Sequence, residues 1–266
     1  MNIKHFSRSI CSVGPLRSAV VVFRHRGFRQ SDVFLASYPK SGNTWLRHLI
    51  VHAATGKETK WRDVLTDYSL MVGQHGTLLS SIGSGGRLIK THEPFRNQYK
   101  KSILMVRDPR DIAVSEFHYR KQFSNDRNIA HQTFSEYIDR FVRGKTCVYG
   151  SWHAHCESWL PAVESKSALL VKYEDLQQSP IDKLDEMVRF LGFQINIEVL
   201  GRIVEANSAE SMREKERVYR KQTNETEKVF VRHAKPAGWQ ELLSSNDIDV
   251  LRDKLGHVSS KLGYEL

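Results

Sequence analysis

Residues 33–45 constrain the fold more than any other stretch of the chain. Val33-Phe34-Leu35-Ala36-Ser37 is a short apolar run, and a polar loop, Tyr38-Pro39-Lys40-Ser41-Gly42-Asn43, follows it directly. From Thr44 to Ala54, Trp45, Leu46, Leu49, Ile50 and Ala53 recur at helical spacing, and Gly56 supplies a stop. An unbroken apolar run fits a parallel strand buried on both faces, and the 3.6-residue recurrence fits a helix. A strand that turns through Ser-Gly into a helix N-terminus aims backbone N–H groups and the helix dipole at one point, which makes an anion site. Lys40 adds a full positive charge there, and the hydroxyls of Ser41 and Thr44 add donors.

The same alternation continues downstream. Arg87 to His92 reads as a strand stopped near Pro94, Ser102 to Val106 as a clearer one, and Ala168 to Tyr173 as another. Asp108 is placed to cap a helix that begins with Pro109. Helices are expected near 130–142, 150–163, 181–192, 196–206 and 245–262, and the Ser/Gly-rich stretch 80–86 reads as a loop. Strands alternating with helices predict an α/β fold with a central, mainly parallel sheet flanked by helices. No internal repeat and no linker divides the chain, so residues 31–266 are expected to form one domain. At 266 residues, 40% of them hydrophobic, the chain is long enough to bury a sizeable core.

Residues 1–30 read as a basic arm. The first 31 residues carry Lys4, Arg8, Arg17, Arg24, Arg26 and Arg29 and no acid. An organellar transit peptide has this composition too, but Gly14, Pro15 and Gly27 interrupt any amphipathic helix. Three cysteines, Cys11, Cys147 and Cys156, are too few and too odd in number for a disulfide framework and point to a reducing compartment. No apolar run approaches the roughly 20 residues that span a bilayer. A cytoplasmic location is the expectation, with an organellar one as the alternative.

The net charge of +10 favours an anionic partner without naming it. The nearest general phosphate motif, GxxxxGK[ST], is not met, because the lysine precedes the single glycine. A second segment narrows the choice. Arg107 falls where a strand ends, at the carboxyl edge where open α/β sheets bind ligands, and Ser115 lies in the second turn of the following helix. An arginine fork and a hydroxyl suit a terminal phosphate, although Arg107 could instead pair with Asp108 or Asp111 and shape the turn. Two anion sites on one sheet edge suggest a nucleotide phosphorylated at two positions. Trp152, His155, Cys156 and Trp159 share one helical face and read as core packing, and no ligand spacing indicates a metal.

These segments together resemble the sulfotransferases that use 3′-phosphoadenosine 5′-phosphosulfate (PAPS), closest to the soluble cytosolic type and its bacterial relatives. Tyr38 to Trp45 is similar to that family's 5′-phosphosulfate loop, and Val106 to Ser115 with Tyr119 is similar to its 3′-phosphate segment. Lys90-Thr91-His92, Tyr149-Gly150-Ser151-Trp152 with Trp159, and Tyr173-Glu174-Asp175 match further. The resemblance covers about residues 32–240 and implies a P-loop-NTPase-like architecture. It implies PAPS as co-substrate, 3′-phosphoadenosine 5′-phosphate (PAP) as product, and no metal.

By the same resemblance Lys40 contacts the bridging and leaving oxygens, and Ser41, Gly42, Asn43 and Thr44 line the 5′ group. Trp45 stacks on adenine, although it also fits the apolar stripe of its helix. Arg107 and Ser115 hold the 3′-phosphate, Tyr173 reaches the adenine edge, and Asn207, Ser208 and Met212 occupy the adenine-contact segment. His92 takes the place of the base, with Lys40 and Ser115 as the other catalytic candidates. A histidine titrates near neutrality and can accept a proton from an attacking hydroxyl. Arg232, His233 and Ala234 stand where the family carries Arg-Lys-Gly, and alanine restricts close backbone approach to a phosphate.

The implied reaction is an in-line transfer of a sulfuryl group to a hydroxyl or amine of a small-molecule or glycan acceptor. The acceptor pocket is expected in the stretches 57–86, 120–148 and 213–231. Two other classes compete. A divergent P-loop kinase would need a lysine after the glycine and an acidic magnesium ligand. A non-catalytic binder of PAP or of a polyanion such as RNA would fit the charge, but aromatic-interleaved basic motifs for nucleic acid are absent, so no nucleic-acid partner is expected. The oligomeric state is not legible.

Overall fold

The structure, a computed structural model, describes residues 21–66, 69–72, 86–123, 131–223 and 238–266. Five parallel strands form one sheet: β1 (Val33–Ser37), β2 (Leu70–Met71), β3 (Leu88–Thr91), β4 (Ser102–Val106) and β5 (Ala168–Lys172), in the order β2-β3-β1-β4-β5. The first strand is central. It pairs with β3 from Val33↔Leu88 to Ala36↔Thr91 and with β4 from Phe34↔Ser102 to Ser37↔Met105. All five strands therefore end on the same edge, and the chain reverses its lateral direction around β1. That is the topological switch point where open α/β sheets bind ligands.

Ten helices among the described residues complete the domain: α1 (Asn43–Thr55), α2 (Asp63–Thr66), α3 (Pro109–Phe123), α4 (Phe134–Val142), α5 (Trp152–Glu164), α6 (Tyr173–Gln178), α7 (Pro180–Leu191), α8 (Ile197–Ala206), α9 (Ala209–Thr223) and α10 (Ser245–Lys261). The two sheet faces bury different halves of each strand. Phe34, Ala36, Ile89, Leu104 and Val106 pack with residues of α3, α4, α5 and α10. Val33, Leu35, Leu88, Ile103, Met105 and Val171 pack with residues of α1, α7 and α8. Coverage on both sides is why these strands read as continuous apolar runs.

Trp152, His155, Cys156 and Trp159 are all buried on one face of α5, as core packing requires. The helix α9 replaces the variable stretch expected from residue 213. Its low apolar content hid it, since only Met212 and Glu216 are buried along it. Of the stretch 1–30 expected as a basic arm, residues 21–30 are described. Val21 and His25 are buried. The His25 Nδ1–H donates to Val21 O at 2.6 Å, Tyr99 O–H donates to His25 Nε2 at 2.6 Å, and Phe28 packs edge-on to Phe34 at 5.0 Å. Residues 1–20 lie outside the described residues. Among the described residues no helix is long and apolar enough to cross a membrane.

Candidate active site

The loop from β1 to α1 has an unusual backbone. Gly42, the N-cap of α1, has φ 95°, and Lys40 has φ 69°. A lysine in left-handed space costs energy that the surroundings must over-determine, and such residues cluster at functional sites. Gly42 has two reasons to be glycine: its φ, and a Cβ there would lie 2.7 Å from Tyr173 Cδ2 and 3.2 Å from Met105 Sδ. Ser41 is fully buried, and its Oγ has no hydrogen-bond partner. A buried hydroxyl left unpaired costs about 1–3 kcal/mol, so Ser41 Oγ is a donor free to meet a ligand.

Asn43 ties the loop to the strand before it. Its Nδ2 donates to Leu35 O at 3.1 Å and to Ser37 Oγ at 3.2 Å, so the side chain ties the helix start to β1 and leaves only its backbone N–H to line the loop. Lys40 Nζ lies 4.3 Å above the Tyr119 ring, and Lys40 O accepts from Arg107 Nη1 at 3.5 Å.

The end of β4 supplies the second anion group. Arg107 stands over the Tyr173 ring at 4.3 Å and pairs with the buried Asp111 at 3.5 Å. The pairing with Asp111 weighed from sequence is present. Ser115 is half-buried one helical turn beyond Asp111. Glu174 braces this turn from α6: its Oε1 accepts from Asp108 N at 3.0 Å and its Oε2 from Tyr264 O–H at 2.7 Å. The described chain resumes at Gly238, and Trp239 lies under the Arg110 guanidinium at 4.2 Å. Arg232, His233 and Ala234 lie outside the described residues.

Trp45, Tyr173 and Asn207 form the third group. Trp45 and Tyr173 meet edge to face at 5.7 Å, and Trp45 Nε1–H donates to Asn207 O at 2.8 Å. Asn207 is buried, and its amide is engaged: Nδ2–H donates to Ile203 O at 2.8 Å and Oδ1 accepts from Lys215 Nζ at 3.1 Å. Ser208 Oγ accepts from Ser211 N at 3.2 Å, starting α9, and Met212 is buried. Asn207, Ser208 and Met212 therefore shape the wall behind Trp45 as scaffold.

His92 closes the site at the end of β3. Its Nδ1 lies 2.7 Å from Ser37 O, and a carbonyl can only accept, so Nδ1 carries the proton and Nε2 keeps its lone pair. Burial, then the positive charge of Lys90, holds its pKa well below the usual value; the Ser37 carbonyl opposes this. The ring is thus neutral at pH 7. Tyr149 packs edge-on at 5.5 Å. A small cleft beside His92 is lined by Arg24, Met71, Val72, Lys90, Thr91 and Tyr149, with Glu93.

Lys90 is the residue that sequence reasoning named only as part of a motif. Burial, reinforced by Arg47 and Lys40, lowers its ammonium to about 7. Its signal was available: a lysine inside an otherwise apolar strand, two positions before the histidine.

A family model for the sulfotransferase domain matches residues 30–262. Dog (Canis lupus familiaris) Sulfotransferase 1B1 is 31% identical over 202 residues, covering 70% of this chain and 67% of that protein. Human Sulfotransferase 2A1 is 30% identical over 196 residues, covering 70% and 68%. The crystal structure of mouse sulfotransferase SULT7A1 complexed with PAP superposes with a TM-score of 0.66 at 20% identity, over 92% of this chain and 93% of that one. A retinol dehydratase in complex with androsterone and PAP superposes at 0.75 with 17% identity, over 94% and 86%. The structural likenesses speak for the fold, and the family match, spanning nearly all of the domain, speaks for descent: this chain belongs to the sulfotransferase family.

Proposed function

We propose that this sulfotransferase takes its sulfuryl group from PAPS and delivers it to a hydroxyl or amine of a small-molecule acceptor, with His92 as the base. The observation that carries the reading is the double use of Ser37. Its carbonyl fixes the His92 tautomer, and the same residue leads into the donor loop. The proton acceptor and the anion cradle are thereby held on one rigid strand end. Two structural neighbours are described in complex with PAP, which supports the same donor here.

The residues fit the donor. Ser41 Oγ, the backbone N–H groups of residues 41–44 and Lys40 would receive the phosphosulfate, Arg107 and Ser115 the 3′-phosphate, and Trp45 and Tyr173 the base. His92 Nε2 takes the acceptor proton as the acceptor oxygen bonds to sulfur. The bond from sulfur to the 5′-phosphate oxygen breaks, and Lys40 with the loop N–H groups meets the charge that develops there. Preorganised donors of this kind act without reorganisation cost, and positioning supplies the remainder.

The acceptor hydroxyl approaches through the cleft beside His92. A guinea pig (Cavia porcellus) 3-beta-hydroxysteroid sulfotransferase is 28% identical over 200 residues, so steroid alcohols and simple phenols head the acceptor panel. Thermal unfolding with PAP, ATP and a short RNA tests the donor: PAP at 100 times its dissociation constant should add about 2.7 kcal/mol. Stabilisation by ATP or RNA and not by PAP overturns the reading. Transfer of label from PAPS to the panel then tests the chemistry.

A further inference from the structure

Asn43 is the first residue of α1 and is only 5% exposed. Its side chain reaches back to β1. The Nδ2 amide donates to Leu35 O at 3.1 Å and to Ser37 Oγ at 3.2 Å. An amide nitrogen can only donate, so Ser37 Oγ accepts there. The same Oγ lies 3.3 Å from His92 Nδ1, beside the 2.7 Å bond that Nδ1–H makes to Ser37 O. The ring nitrogen thus rests against two oxygens of one residue, the carbonyl as main acceptor and the hydroxyl as a second, weaker one.

The two oxygens are fixed by different means. Ser37 O belongs to the backbone of β1, where Ser37 is paired with Met105 of β4, so the sheet sets it. Ser37 Oγ sits on a side chain with three staggered wells to choose from. Asn43 makes the choice. Anchored to Leu35 O, its amide presents an N–H at a fixed point, and the Ser37 rotamer that meets it also sets Oγ beside His92. A ring hinged on one hydrogen bond can rock about it, and a second contact restrains that motion. The restraint matters because a general base must hold its lone pair within hydrogen-bond reach of the proton it takes. A misplacement of about 1 Å at a reacting group costs on the order of 10²-fold in rate.

We propose that Asn43 is a positioning residue for the base: through Ser37 Oγ it holds the His92 ring so that Nε2 faces the acceptor. The head of α1 then serves both partners of the reaction, with its backbone in the donor loop and its side chain behind the base. The inference rests on His92 as that base.

NMR of the full chain, labelled with heavy nitrogen in its histidines, reads the ring directly. The His92 signals are those lost in His92→Ala. In the unaltered chain Nδ1 should carry a slowly exchanging proton and Nε2 none. Asn43→Ala should speed exchange of that proton about tenfold, the effect of one hydrogen bond lost. Ser37→Ala should do the same. Asn43→Ala should add less than about twofold once Ser37 is alanine, because both act through one oxygen. The chemistry should follow. With PAPS and a simple phenol, the single-turnover rate should fall about tenfold in Asn43→Ala, while PAP affinity, read by calorimetry, stays within about threefold.

Proton exchange or transfer rate unchanged within about twofold in Asn43→Ala overturns the proposal, as do effects of the two substitutions that multiply in the double variant. A loss of PAP affinity as large as the loss of rate also overturns it, since Asn43 would then act on the donor. If Asn43→Ala does not fold, Asn43→Ser, whose single hydroxyl proton cannot serve both acceptors, is measured in its place. These outcomes leave His92 standing as the base. Full turnover in His92→Ala overturns both.

Discussion

The two halves of the sheet treat polar groups differently. On the β4–β5 side each charge that shapes the site is answered within the protein. Arg107 faces Asp111, Arg110 is doubly bonded to Asp108, and Glu174 accepts from both Asp108 N and Tyr264. On the β3–β2 side Arg47 is buried with no ion pair among the described residues, nearby positive charge holds Lys90 low, and His92 is held neutral. The first half holds its shape before any ligand arrives. The second half is electrostatically unfinished among the described residues, and it holds the proposed base, His92. Rigidity and reactivity are thus assigned to opposite sides of β1, and the donor loop spans them.

The sharpest way to break this division is His92→Ala. On the reactive side, loss of a positioned base should lower turnover by about 10²–10⁴-fold while PAP binding changes little. Full turnover with chemistry rate-limiting would remove His92 from its role. Acidification comes next. His48 and His155, buried and neutral, are held at about 3 by burial, below their unfolded value near 6.5. Stability should therefore be complete above pH 7 and fall as pH drops through 6.5, because the unfolded chain binds the protons. Going from pH 7 to 5.5 should cost on the order of 2–3 kcal/mol for the two together, read by urea unfolding.

Gly42→Ala probes the loop that joins the halves. Left-handed strain plus a Cβ pressed on Tyr173 should cost about 1–3 kcal/mol of stability and weaken PAP binding as well. Unchanged PAP affinity would separate the loop's backbone from donor binding. Tyr264→Phe is the mildest change. Removing one donor to Glu174 on the finished side should cost about 1–2 kcal/mol, with turnover kept within a few-fold. A large fall in turnover would mean that the rigid half takes part in catalysis directly.

The sheet was legible because its strands are buried on both faces and end in polar motifs. The anion loop was legible because Lys40, Ser41 and Gly42 stand at a strand-to-helix junction. The side-chain bonds of Asn43 were not legible, because its amide turns back to Leu35 O and Ser37 Oγ. Arg47 falls outside the apolar recurrence of its helix, and the approach of Val64 and Ser69 buries it. Asn207 and Ser208 matched a contact segment, but their side chains close the α8–α9 junction. In each case the deciding partner is a specific hydrogen-bonding group, and composition carries no trace of it.

The central place of β1 has a consequence for how the chain is made. Its hydrogen-bonding partners on both edges, β3 and β4, are encoded later, the second of them ending at Val106. At about 5–20 residues per second, the ribosome delivers that residue about 3–14 s after Ser37. Until β3 is made Val33-Phe34-Leu35-Ala36-Ser37 has two open edges, and one stays open until β4 is made, the condition that invites pairing with a neighbouring nascent chain. Expression yield, more than the folded enzyme's stability, is where substitutions in β3 and β4 should register first.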